Sequence, residues 1–234
     1  MKKQFIFLLV AAIGLVSCAH NSVDPGSKEV ARVEAAIRVL EGIMGIRERF
    51  IPPSLLGKAY GFAVIPRTIT GGFIVGGRHG RGILVVRHKE SGWSNPSFIV
   101  LYGGGIGLQI GAQSSDLILV FRSSKSIDAI MKTESTLGAK ASIAAGPVGR
   151  HVEVGTDLEF KAEIYSYSRS RGMFAGVSLE GATLEIDDRA NEAFYGEEGI
   201  AARDIFTRKG ILVPAVANRF KQVLAEYVAT ATED

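Results

Sequence analysis

At 234 residues, with 47% hydrophobic and 22% charged side chains, the chain has the composition of one globular domain with short extras, which excludes a disordered chain and a multi-span membrane protein. Glycine is in excess, 28 residues against seven prolines, but without a G-X-Y period, so it belongs to turns and strands and not to collagen. The formal charge of +3 includes Lys2 and Lys3 of a segment expected to be removed; 27 basic residues less these two leave 25 against 24 acidic ones, too near neutrality for a nucleic-acid partner.

Met1 to Gln4 carries the two lysines, Phe5 to Val16 is almost wholly apolar, and polar residues begin at His20. This pattern predicts a signal peptide over 1–17, because the apolar run is shorter than the roughly 20 residues that a spanning helix needs. Leu15, Val16, Ser17 and Cys18 resemble the lipobox of bacterial lipoproteins, in which small residues admit the peptidase and the cysteine thiol accepts a diacylglyceryl group. Cys18 is the single cysteine, so its acylation, with palmitate-type chains, leaves no thiol for disulfides, thiolate metal sites or catalysis. Two or three acyl chains on one residue anchor stably where one anchors marginally. Ala19 follows the cysteine in place of aspartate, and resemblance to lipoproteins of diderm bacteria then implies a lipid anchor in the outer membrane of a cell envelope.

Residues 18–27 read as a lipidated tether, with Asn, Ser, Asp, Pro and Gly after the cysteine, and 28–234 as a single domain. Val30, Val33, Ile37, Leu40 and Met44 recur at helical steps among charged residues, which predicts an amphipathic helix ending before Pro52 and Pro53. Fourteen of the 28 glycines lie between Gly57 and Gly111, interleaved with apolar runs at 62–65, 73–75, 83–86 and 98–102. Short β-branched and aromatic runs bounded by glycine predict strands with tight turns, with a hairpin end at Gly77 to Gly82. Leu117 to Phe121 reads as a strand, Ile127 to Met131 as a short helix, and Leu137 to Val148 as a strand with a turn at Gly146-Pro147. Two long strands are expected at 162–171 and 174–186. Val216, Phe220, Val223, Leu224, Tyr227 and Val228 mark a C-terminal amphipathic helix opened by Pro214. The expected class is α+β: a glycine-rich, mainly antiparallel sheet, as a sandwich or partly closed barrel, flanked by N- and C-terminal amphipathic helices.

The motifs of common enzymes do not occur. Gly103 to Gly111 lacks the G-x-G-x-x-G spacing, Gly57-Lys58 precedes alanine and not the Ser or Thr of a phosphate loop, and Glu180 stands where a nucleophile elbow needs its second glycine. His79 and His88 have no H-E-x-x-H or carboxylate triad around them. No catalytic residue, metal or cofactor is expected. Two groups of positive charge stand out instead. Lys58, Arg67, Arg78, Arg81, Arg87 and Lys89 fall at the expected ends of the glycine-rich strands, where they would meet anionic lipid head groups at about 1 kcal/mol each or serve only as solubilising charges. In the run from Tyr165 to Arg171 the strand period puts Tyr165, Tyr167, Arg169 and Arg171 on one face, either an aromatic platform for an anion or an edge strand with packed tyrosines.

An ordered series of segments resembles the SYLF domain: Ile51 to Leu56, Ala59 to Pro66, Gly71 to Gly77, Gly80 to Arg87, Trp93 to Pro96, Gly107 to Gln113, Ala145 to Arg150, Tyr165 to Gly176 and Phe194 to Gly196. The resemblance spans about Val30 to Phe206. It implies a non-catalytic domain: eukaryotic SYLF relatives bind phosphoinositide-containing membranes and, in yeast endocytosis, bind and bundle actin. For an envelope lipoprotein the resemblance favours anionic membrane lipid as partner, with another envelope protein as the alternative and a cryptic hydrolase as a third reading.

Overall fold

The computed structural model describes residues 26–44, 51–73, 75–106, 111–132, 135–137, 142–147, 161–170 and 173–233. The expected signal peptide over 1–17, the expected lipidation site Cys18, and Arg171 lie outside them. One sheet of ten strands organises the chain, so the sandwich alternative falls and the curled, partly closed form stands.

The two longest strands, β1 (Gly61–Phe73) and β2 (Val75–His88), form a hairpin, and β4 (Ser97–Ile106) and β5 (Gly111–Phe121) flank it on either side. The apolar run at 62–65 lies in β1, whereas Phe73 ends β1 and Val75 begins β2. The expected hairpin end at Gly77 to Gly82 is corrected: those residues lie inside β2, and the reversal falls between Phe73 and Val75. Glycine is used here within strands more than between them. The register of β1 slips between Val64 and Ile69, where Pro66 has no N–H to offer and Arg67 takes a φ of 49°, a bulge that places proline where a ladder bond is already lost. Across from it stand Gly80 and Gly82; a Cβ on Gly82 would lie 2.2 Å from the Val64 carbonyl oxygen.

β3 (Gly92–Trp93) pairs with the end of β2. The second expected long strand, 174–186, is two separate pieces. β9 (Met173–Gly176) pairs with β8 (Ile164–Ser170), whereas β10 (Thr183–Ile186) crosses to pair with β4. The break falls at Gly181, whose φ of 78° reverses the chain as a side-chained residue rarely can. β6 (Ser135–Thr136) borders β10, and β7 (Ile143–Ala145) runs parallel to β8.

The helices cover the sheet. α1 (Ser27–Met44) buries Val33, Ile37 and Leu40, as its period requires, and packs on α6 (Ala215–Glu233), which buries Phe220, Leu224 and Tyr227. α2 (Pro53–Gly57) starts with Pro53 in its first turn and inserts Leu55 and Leu56 into the core. α3 (Ser124–Lys132) is the expected short helix, set over β10 and β5. α4 (Asp188–Tyr195) is capped by the Asp187 carboxylate and closed by Gly196 in the left-handed region; α5 (Ala202–Thr207) follows. No helix among the described residues is long and apolar enough to cross a membrane.

Candidate functional site

The six basic residues singled out in the sequence do not form one patch. Arg67 sits on the β1 bulge, exposed, with its own N–H donated to Asp116 Oδ1 at 3.0 Å. Arg78 lies in the middle of β2, half-buried, and donates to the Ser178 carbonyl at 3.4 Å; burial lowers its pKa from the ordinary value. Arg81 projects from the opposite face of β2, where it approaches the Asp187 carboxylate at 3.9 Å. Arg87, six residues beyond Arg81, is about 20 Å further along the strand.

Lys58, Arg87 and Lys89 do converge. With Gly57, Ala59, Tyr60, His88 and Arg122 they line one open cleft of about 370 Å³ where α2, the end of β2 and the end of β5 meet. Local structure fixes its walls. The chain leaves α2 at Lys58, the Ala59 N–H returns to the Leu56 carbonyl, and Tyr60 joins the two flanking strands by donating to the Phe121 carbonyl and accepting from the Arg87 N–H. Arg87 is held by a bond from Nη1 to the Gly57 carbonyl at 3.1 Å and by the Trp93 ring, whose centroid lies 5.7 Å from its guanidinium carbon. The imidazole of His88 is fixed by a 2.8 Å contact between Nε2 and the Phe206 carbonyl. Lys58, Lys89 and Tyr60 are exposed at the rim.

Among the described residues no carboxylate lines this cleft and no ion pair ties Lys58, Arg87 or Lys89 to an acid. Three cations, Lys58, Arg87 and Lys89, gathered in a concave wall focus positive potential, the arrangement that draws anions. Tyr60 and Arg122 escape the sequence reading because only the pairing of Gly61 with Phe121 brings them beside the end of β2.

The strand of alternating tyrosines is used differently. Tyr167 is fully buried, stacked on Phe174 at 5.3 Å with its hydroxyl donating to the Pro147 carbonyl, and Tyr165 is 6% exposed. β8 is paired along both sides, by β5 on one and by β7 and β9 on the other, so it is no edge strand. Arg169 meets Asp116 at 3.5 Å and donates to the Val39 carbonyl of α1. These rings and this guanidinium fasten the sheet to its helix layer. Among the described residues no three His, Cys, Asp or Glu side chains gather as a metal would need.

The profile of the Ysc84 family, described as Las17-binding protein actin regulator, matches residues 102–227, more than half of the chain. An SH3 domain-containing YSC84-like protein 1 of Xenopus laevis is 36% identical over 181 residues, 77% of this chain and 53% of its own length. An SH3 domain-containing protein of Schizosaccharomyces pombe is 34% identical over 91% of this chain and 49% of its own, and the LAS seventeen-binding protein 3 of Saccharomyces cerevisiae is 32% identical over 79% and 40%. The chain spans about half the length of the curated relatives it matches. With the family model matched over more than half of the chain and relatives 34–36% identical over 77–91% of it, the chain belongs to the Ysc84 family.

Proposed function

We propose that this chain is a non-catalytic binding domain, held in a cell envelope by acylated Cys18, whose basic cleft end meets the anionic surface of a membrane. The observation that carries the reading is the cleft itself: Lys58, Arg87, Lys89 and Arg122 line it, and among the described residues no acid does. Each Lys or Arg near an anionic surface contributes about 1 kcal/mol, so three or four acting from one place suffice for measurable binding where scattered charges do not. An acyl anchor strengthens such a contact by keeping the domain within reach of the surface.

Two measurements test it. Cys18→Ser is expected to leave an uncleaved or soluble form; recovery of that variant in the outer membrane, correctly processed, ends the anchor reading. The same unacylated chain is expected to bind vesicles more tightly as their anionic content rises and more weakly as salt rises. A folded chain that binds no vesicle of any composition removes the membrane reading. The second reading, a protein-binding module, is favoured by the family's description as Las17-binding and by the relatives' names. It stands in front if vesicle binding fails.

A further inference from the structure

We infer that the open part of the sheet, around the β1 bulge, pairs with the same surface of a second copy of this chain in a two-fold dimer. The surface is separate from the basic cleft, and the inference does not depend on the membrane reading. α1 crosses one face of the sheet, held by Arg32, which pairs with Asp187, and by Arg169, which donates to the Val39 carbonyl. Toward the far end of the hairpin of β1 and β2 this face is open. Its first row runs through Glu185, Val100 and Arg81 on β10, β4 and β2, with Arg67 in the bulge between Arg81 and Asp116. The next row holds Thr183, Tyr102, His79, Ile69 and Ser114, and the last Gly104, Gly77 and Gly71. Ile69 is 58% exposed although it sits on a central strand, and the Arg81 side chain is 56% exposed.

The charges of the first row are divided. Arg67 and Arg81 stand together on β1 and β2, and Glu185 stands on β10 with the neutral Val100 between. Among the described residues no acid pairs with the Arg67 guanidinium, and no cation pairs with Glu185, whose carboxylate accepts only the Tyr102 hydroxyl at 3.2 Å. Three strand spacings hold β1 and β10 about 14 Å apart, beyond the roughly 8 Å over which salt lets such charges act. A two-fold axis between β2 and β4, parallel to the strands, places β1 of one copy over β10 of the other and leaves the rows in line. Arg67 then meets Glu185 twice, once in each half, Ile69 lies on Thr183, and Gly77 faces Gly104. At both glycines a Cβ would find open space or a single atom at 3.8 Å, so the two backbones can approach closely there. An acidic peptide would satisfy the arginines but leave Glu185 opposed by like charge; the same face, turned over, satisfies both. Five strands by three rows make a patch of about 24 by 20 Å, or about 1,000 Å² over two copies, which is the lower end for a specific and reversible interface.

Sedimentation equilibrium of the full unacylated chain, from about 10 μM to about 1 mM, tests this. The chain is expected to move toward the mass of a dimer across that range and back toward one chain as salt rises. Arg67→Glu and Ile69→Asp, both at exposed positions, should each raise the dimer Kd at least about tenfold while circular dichroism stays that of the parent. Combining Arg67→Glu with Glu185→Arg should return Kd to within about threefold of the parent, because the exchanged charges meet again across the axis. Within one chain they stand too far apart for such a rescue. Should Glu185→Arg disturb the fold, Glu185→Gln keeps an acceptor for the Tyr102 hydroxyl and should still weaken the dimer about threefold or more. A chain that stays monomeric to about 1 mM overturns the inference. So does a dimer indifferent to Arg67→Glu and Ile69→Asp, which is built on another surface, and so does a folded charge-swapped variant no tighter than Arg67→Glu alone.

Discussion

Asp187 ties three parts of the fold together, and replacing it by Asn isolates one of its jobs. Its carboxylate accepts from the Ala190 N–H at 3.3 Å as the cap of α4, meets Arg32 of α1 at 3.3 Å, and lies 3.9 Å from Arg81 of β2. Both Arg32 and Asp187 side chains are only 12–13% exposed, and the Arg32 guanidinium also stands 5.1 Å over the Phe98 ring. Desolvation pulls the Arg32 pKa below its ordinary value even though Asp187 and Glu29 push the other way, so the cation is held at a real cost that its partner offsets. Asn keeps a capping oxygen and removes the charge. An exposed pair is worth up to about 1 kcal/mol, and breaking a fully buried one costs about 3–5; this nearly buried pair, with Glu29 still 3.8 Å from Arg32, should lose about 2 kcal/mol. Asp187→Ala should cost about 1 kcal/mol more, the value of the cap. Urea unfolding measures both. Adding Arg32→Met to Asp187→Asn should recover much of the loss, since the cation left without its partner is gone. A loss below about 0.5 kcal/mol for Asp187→Asn, or simple additivity in the double variant, would refute the view that this pair pins α1 to the sheet.

Two further substitutions test the core and the charge around α4. Tyr167→Phe should cost about 1 kcal/mol in urea unfolding, because it deletes one buried hydrogen bond to the Pro147 carbonyl while leaving the stacked ring, and it should not alter binding at the cleft. The Asp188 carboxyl is raised above its ordinary pKa by desolvation and by the nearby Glu192 and Asp187, so the folded chain holds that proton more tightly than the unfolded one. Its contribution therefore favours folding in acid and is lost as pH rises through the folded value; Asp188→Asn should gain stability on its parent as pH rises across that window, and a parallel pH profile for the two would contradict it.

The parts of this molecule that depend on periodicity were readable without coordinates. Val33, Ile37 and Leu40 mark one helix and Phe220, Leu224 and Tyr227 another, because burial on one face imposes a helical repeat that chain order preserves. Long-range pairing leaves no such trace. Nothing in the run from Phe174 to Ile186 announces that its first three residues pair with β8 and its last four with β4, since both pieces have strand composition and only Gly181 hints at the break. The same holds for the candidate site. Charge and residue type pick out Lys58, Arg87 and Lys89, but they pick out Arg67, Arg78 and Arg81 equally; Arg67 sits on the β1 bulge, and the 14-residue β2 sets Arg78 and Arg81 well back from the end that carries Arg87. Arg122 could be added only by a register 60 residues distant in sequence, Gly61 opposite Phe121.

Glycine content, the first oddity of the composition, resolves into two classes that a pair of substitutions distinguishes. At Gly82 a Cβ would meet backbone, the Val64 carbonyl oxygen at 2.2 Å and the Ile65 Cα at 2.8 Å, because β1 bulges toward it at Pro66 and Arg67. Backbone in the middle of a ten-stranded sheet cannot swing aside like the end of a side chain. Gly82→Ala should cost at least about 3 kcal/mol, the upper range for overpacking, and so lower the melting temperature by roughly 6–12 °C. Gly77, five residues earlier in the same strand, is exposed, has no atom within 4 Å of a built Cβ, and is absent from the positive-φ glycines. There alanine only restricts the unfolded chain, and Gly77→Ala should raise stability by about 0.4–1 kcal/mol. If Gly82→Ala melts with the parent, the bulge is not what demands glycine opposite it. If Gly77→Ala is instead destabilised by more than about 1 kcal/mol, the reasoning from open space and ordinary φ fails at that end of the sheet.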